Sequence, residues 1–231
     1  MRAPPLRWVL WDVKDTLLKV RLSVGDQYCR EAERVGLSLK PVEVDSAFRQ
    51  VYKSYSIRYP NYGIAQGLNG HTWWTAVVRD TFYLCGVQDT ALLQTISHNL
   101  YHNFCNAQNW EVFDDSKTVL KACASLGLKL GVVSNFDKRL ETILNSCDLV
   151  AKPSPRIFEQ ALQKCGVSAA EIAHVGDHYV KDYLASRSVG IHGFLLDRDN
   201  KYEQSDIVPK EHRLSSLEEL PLRLQQHLNR R

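Results

Sequence analysis

Three short apolar runs, each closed by a residue able to do chemistry, constrain this chain more than anything else in it. Trp8 to Trp11 ends at Asp12, Leu128 to Val133 ends at Ser134-Asn135, and Ile172 to Val175 ends at Gly176-Asp177. The first run shows no polar/apolar alternation, which suits a strand buried on both faces of a parallel sheet. Helical patterns lie between and after the runs: Lys117 to Leu126 stopped at Gly127, Lys138 to Ser146, Pro155 to Lys164 stopped at Gly166, and Val180 to Ser188. Ile191 to Leu196 reads as a further strand, and Ser215 to Leu228 as a closing helix interrupted by Pro221. Alternating strands and helices imply an α/β fold, a mainly parallel sheet with helices on both faces. Such sheets bind ligands beyond the carboxyl ends of their strands, where these residues stand.

The stretch from about Ser23 to Asn106 contains no convincing strand. Four helices are expected there, at 24–35, 41–58, 71–84 and 91–104, on the spacing of their apolar residues and on Pro41, Gly36 and Gly86 as boundary signals. Trp73 and Trp74 cannot both face one way on a helix, so at least one belongs to a core. His98 and His102 are four residues apart, a spacing that can bind zinc, but HExxH is absent and no third ligand is evident. Pro60 to Gly70 is a Gly-, Asn- and Tyr-rich connection. The block reads as a helical unit inserted early into the α/β chain.

Composition supports a self-sufficient core. The 231 residues are 44% hydrophobic and 24% charged, ordinary for a soluble globular chain that needs no disulfide or zinc to be stable. A formal net charge of +3 gives no reason to expect nucleic acid or an anionic membrane as partner. The six cysteines form no CxxC pair, as expected of reduced packing thiols. The apolar run after Arg7 is too short for a signal-peptide core, and no run approaches the roughly 20 apolar residues of a spanning helix. The expectation is an intracellular, cytoplasmic protein.

The strand ends suit phosphoryl chemistry. A carboxylate such as Asp12 can attack phosphorus and form an aspartyl-phosphate. A divalent cation held by Asp12 and Asp177 would screen the phosphate charge from it. Ser134 would hold phosphoryl oxygens, and Lys152 would neutralise developing charge. Four segments appear in order: WDVKDT at 11–16, VVSN at 132–135, KPSPRIF at 152–158 and HVGDHYVKD at 174–182. Together they resemble the haloacid dehalogenase (HAD) superfamily, over nearly the whole chain. The resemblance implies a Rossmann-like core at 1–17 and 108–231 with an all-helical C1-type cap at 18–107. It implies Mg²⁺ as cofactor, with Asp12 as nucleophile and ligand, the Lys14 backbone carbonyl as a second protein ligand and Asp177 as a third. Ser134 and Asn135 would bind the phosphoryl group, Lys152 would bridge nucleophile and phosphate, and Asp182 would be a supporting acid near the metal.

Two features depart from that pattern. Most phosphatases of the superfamily carry Asp two residues after the nucleophile, where it protonates the leaving group and later activates water; here the residue is Lys14. Losing a positioned acid-base typically costs a factor of about 10²–10⁴. Asp15 is adjacent, a supporting acid at most, since the superfamily usually has Gly there. The second departure is the segment Cys147 to Ala151, too short to hold loop, strand and loop when a strand alone takes ~5–6 residues. The edge strand expected near 148–150 should therefore be missing or shortened. The functional expectation is a Mg²⁺-dependent phosphatase acting on a small phosphorylated metabolite, weakened at Lys14. The alternatives are a catalytically impaired binding protein on the same fold, and a dehalogenase-type hydrolase in which Asp12 attacks carbon.

Overall fold

The computed structural model describes residues 4–149 and 163–228. The chain opens with β1 (Trp8–Trp11) and β2 (Leu18–Val20), then α1 (Val24–Arg34), α2 (Pro41–Arg58), α3 (Gly70–Leu84) and α4 (Thr90–Asn103). It continues through β3 (Trp110–Val112), α5 (Asp114–Ser125), β4 (Lys129–Val132), α6 (Leu140–Ser146), β5 (Ile172–Gly176), β6 (His192–Leu196) and β7 (Arg213–Leu214). Lys152 and most of the helix expected at 155–164 lie outside the described residues. Backbone packing divides the chain into two units: the described residues of Met1–Lys19, Val112–Ser134 and Leu149–Arg231, and those of Val20–Glu111 with Asn135–Asp148.

The first unit is α/β. Its sheet runs β4-β1-β5-β6-β7 and every pairing is parallel. Val9, Leu10 and Trp11 of β1 and all of β5 are buried, which is why these runs carry so little polarity; each fully buried large apolar side chain contributes about 1.5–3 kcal/mol. The register aligns Trp11 with both Val132 and Val175. The Asp12 amide donates to the Val175 carbonyl (2.9 Å) and the Val133 amide to the Trp11 carbonyl (2.9 Å), extending that alignment one residue past the strands. The first residues beyond three neighbouring strands are thereby brought level.

Asp148 and Leu149 belong to no strand, and β4 is the sheet edge among the described residues; Val150 lies outside them. The closing helix runs only over Leu220–Leu228, after a 3₁₀ turn at Leu217–Glu219. Pro221 therefore sits in the first turn, where its missing N–H costs nothing. The helix expected at 180–188 is π-helical over Tyr179–Leu184 and α-helical only over Ala185–Ser188.

The second unit is helical. α1, α3 and α4 start on side-chain caps: Ser23 accepts from the Asp26 amide, Asn69 from Thr72, and Asp89 from Ala91 and Leu92. Pro41 opens α2. One core gathers Tyr28, Ala32, Val44, Phe82, Ile96 and Leu100; a second gathers Val51, Trp73 and Val77. Trp73 is buried and Trp74 only half-buried. Asn135–Asp148, which the sequence boundaries place with the α/β part, packs here for identifiable reasons. The Arg139 guanidinium donates to both Asp137 carboxylate oxygens and lies 4.3 Å from the Tyr101 ring centroid and 5.2 Å from that of Trp74. The Tyr62 hydroxyl donates to the Asn135 carbonyl (2.7 Å) and Ser146 Oγ to the Cys105 carbonyl (3.1 Å).

Candidate active site

After β1 the chain folds back on itself. Leu17 and Leu18 amides donate to the Val13 carbonyl, the Asp15 amide donates to Leu18, and Asp15 takes a left-handed conformation (φ +64°). This turn leaves Asp12 and Thr16 buried on the inside and Lys14 exposed. Lys14 Nζ is 2.5 Å from Asp15 Oδ2, in an exposed pair whose two charges both act on Asp177. The turn is held from behind by Arg198, which donates to the Thr16 carbonyl (3.2 Å) and bidentately to Asp115 (2.8 and 2.8 Å).

Beyond β5, Asp177 is followed by the π turn that carries Asp182. Asp182 Oδ2 accepts from the His178 amide (2.9 Å), and its Oδ1 is 3.4 Å from Nε2 of the buried His174. Gly176 makes this approach possible: a Cβ there would lie 2.3 Å from Asp182 Cγ. One carboxylate oxygen from each of Asp12, Asp177 and Asp182 lies within 4.8 Å of the others. The Thr16 hydroxyl stands between two of them, 3.4 Å from Asp12 Oδ2 and 3.5 Å from Asp177 Oδ1.

Electrostatics match this crowding. Burial, then the charge of Asp182, pushes the Asp12 carboxyl up to about 8, while a hydrogen bond from Ser134 and the Val13 amide act the other way. Burial, then Asp15 and Asp182, pushes Asp177 up as well. A set of hard oxygen donors destabilised by mutual repulsion fits a small divalent cation such as Mg²⁺. A cleft of about 570 Å³ opens from this edge, lined among others by Asp15, Lys19, Phe113, Asp177, Asp197 and Arg198. That volume would hold a small molecule.

The structure thus brings Asp12, Asp177 and Asp182 together and places Ser134 against Asp12. Asp15 lines the cleft beside Asp177, and its charge raises the Asp177 carboxyl. Asn135 is exposed and belongs to the helical unit, and Lys152 lies outside the described residues. Sequence reasoning missed Thr16 and His174, and read Gly176 only as a strand end and not as the space that Asp182 fills. Thr16 closes the WDVKDT segment, and its four-residue spacing from Asp12 was the available signal. For His174 the signal was a lone imidazole inside an otherwise apolar strand.

Parallel strands that present acids at one edge define a class of α/β enzymes, and comparison with known proteins narrows it. The family model "haloacid dehalogenase-like hydrolase" matches residues 6–190, so the chain belongs to the haloacid dehalogenase-like hydrolase family. It is 59% identical over 235 residues to haloacid dehalogenase-like hydrolase domain-containing protein 3 of Danio rerio, covering 96% of this chain and 97% of that one. Among solved structures it is similar in fold to a 2-haloacid dehalogenase from Pseudomonas syringae (TM-score 0.67, 18% identity, 96% of this chain and 99% of that one). It is similar also to a HAD phosphatase from Thermococcus onnurineus (TM-score 0.59, 19% identity, 93% and 96%). The HAD-hydrolase YfnB from Bacillus subtilis, solved bound to magnesium, has a similar fold too (TM-score 0.66, 14% identity, 98% and 100%).

Proposed function

We propose that the chain is a Mg²⁺-dependent phosphatase-type hydrolase that acts on a small phosphorylated metabolite through an aspartyl-phosphate on Asp12. The observation that carries this reading is the convergence of Asp12 and Asp182, both buried, with the half-buried Asp177. Attack of Asp12 on carbon, as in a dehalogenase, needs no cation, and hydrolysis of the resulting ester would use one neighbouring carboxylate as base rather than a crowded set of three. Asp12, Asp177 and the Lys14 backbone carbonyl would hold the ion, with Asp182 in support. Bound there, Mg²⁺ would supply the positive charge that lets an anionic phosphate meet a carboxylate.

The chain's own residues do the rest. Thr16 orients the Asp12 carboxylate. An oxygen of Asp12 attacks phosphorus, the P–O ester bond breaks, and the leaving oxygen takes the electron pair and needs a proton. Ser134 would hold a phosphoryl oxygen; Asn135 and Lys152 are assigned to the phosphoryl group by the family resemblance alone. Water then attacks phosphorus, releasing inorganic phosphate and restoring Asp12. The weak point is position 14. A lysine paired with Asp15 stands where the family's usual carboxylate would protonate the leaving oxygen and later deprotonate water. The same pair supports the second reading, a catalytically impaired protein that binds a phosphorylated ligand without turning it over. In the leading reading the helical unit is the family's inserted cap and selects the substrate. The test is phosphate release from a panel of small phosphomonoesters with and without Mg²⁺, run beside Asp12→Asn. Release that needs both Mg²⁺ and Asp12 supports the phosphatase; metal-independent release, or release unchanged in the variant, overturns it.

A further inference from the structure

The helical unit carries a second cluster of potential ligands, different in chemistry from the acids. α4 presents His98 and His102 one turn apart, with ring centroids 4.4 Å from each other. The third member comes from another helix: His71, in the first turn of α3, has its ring centroid 6.4 Å from that of His102. One ring nitrogen from each of the three lies within 4.8 Å of the others, and all three residues are exposed. The Tyr101 ring packs against His71 (4.6 Å) and His102 (5.6 Å) and so braces the group from one side.

Physical chemistry favours a cation here. Imidazole nitrogen is a common metal ligand, and here one from each of three rings converges. Arg139, which packs on the neighbouring Tyr101, makes a bidentate contact with Asp137 that offsets its charge. Imidazole donors suit Zn²⁺, Cu²⁺ or Ni²⁺ and are poor partners for Mg²⁺. Tetrahedral Zn–N bonds of ~2.0–2.1 Å require nitrogens about 3.3 Å apart, a contraction that rotation of exposed side chains can provide.

We infer that His71, His98 and His102 form a three-histidine site for a divalent transition-metal ion, with Zn²⁺ as its natural probe, which ties α3 to α4 and leaves a fourth position for water or an outside ligand. The inference is independent of the reaction at Asp12. Its ligands are nitrogens of the helical unit, whereas the proposed catalytic ion would sit on oxygens of the α/β unit.

Equilibrium dialysis of the full chain against Zn²⁺, near neutral pH and with excess Mg²⁺ to occupy the acids, tests it. The expected result is one tight Zn²⁺ per chain, weakened more than about tenfold in each of His71→Gln, His98→Gln and His102→Gln, since even groups that only support a metal ligand are worth about 10–100-fold. Zn²⁺ should also raise the melting temperature of the wild type and not of the triple variant. All three side chains are exposed, so the metal-free variants should melt with the wild type. The triple variant keeps every cysteine, so uptake that survives in it reports thiols, and equal uptake in variant and wild type overturns the site. Weakening in His98→Gln and His102→Gln with none in His71→Gln also overturns it, because the ion would then sit on a helix pair alone.

Discussion

The two ligand clusters of this molecule are built in opposite ways. Asp12, Asp177 and Asp182 are held by main chain. Parallel register levels the strand ends, the left-handed turn at Asp15 closes the loop, and Gly176 gives Asp182 its room. His71, His98 and His102 stand on two helices that need nothing from them to fold. The first cluster is buried at Asp12 and Asp182 and half-buried at Asp177, and the fold bears the repulsion of crowded acids. The second is exposed, and water relieves most of that tension. The difference teaches which cluster the architecture is organised around. Burial and backbone geometry commit the acid site to one arrangement, and the histidine site is an addition to a surface.

That contrast can be broken at several points. The largest expected effect is at Asp12. Asp12→Asn removes the proposed nucleophile and should lower phosphate release by at least about 10³-fold, measured at saturating Mg²⁺. Restoring the missing acid-base by Lys14→Asp should raise turnover of alkyl phosphates by about 10²–10⁴-fold. No gain in the kinetic assay would move the impairment away from position 14. Gly176→Ala forces Asp182 aside and should destabilise the chain by about 1–3 kcal/mol in denaturant unfolding; an unchanged midpoint would mean the close approach to Asp182 is dispensable. Thr16→Val, which keeps the shape and deletes the hydroxyl, should reduce kcat about tenfold with KM little altered, the mark of a lost hydrogen bond to a charged group. Changes at the three histidines should leave phosphate release untouched.

Much of this was legible in the sequence, and the reason is local. Unalternating apolar runs announced β1 and β5, and Pro41, together with helical spacing, located the helices of the inserted unit to within a residue or two. Asp12 and Asp177 followed because a strand's end is where a parallel sheet binds. What stayed hidden depends on contacts between distant segments. The ion pair Asp137–Arg139 and its Tyr101 and Trp74 rings draw 135–148 into the helical unit, and no periodicity reports that. The π turn at Tyr179–Leu184, which aims Asp182, looks like an ordinary helix in sequence. His71 lies 27 positions before His98, so the sequence offered a pair where the fold assembles a triad.

The central claim is that Asp12 becomes phosphorylated in the presence of Mg²⁺. An aryl phosphate such as p-nitrophenyl phosphate tests it most directly, because its leaving phenolate is stable without a proton and bypasses the deficit at Lys14. Rapid mixing with Mg²⁺ should give a burst of about one nitrophenolate per chain followed by slow turnover, the signature of an intermediate that water discharges poorly. The burst should vanish in Asp12→Asn and when Mg²⁺ is chelated. A burst that survives either change would contradict the account.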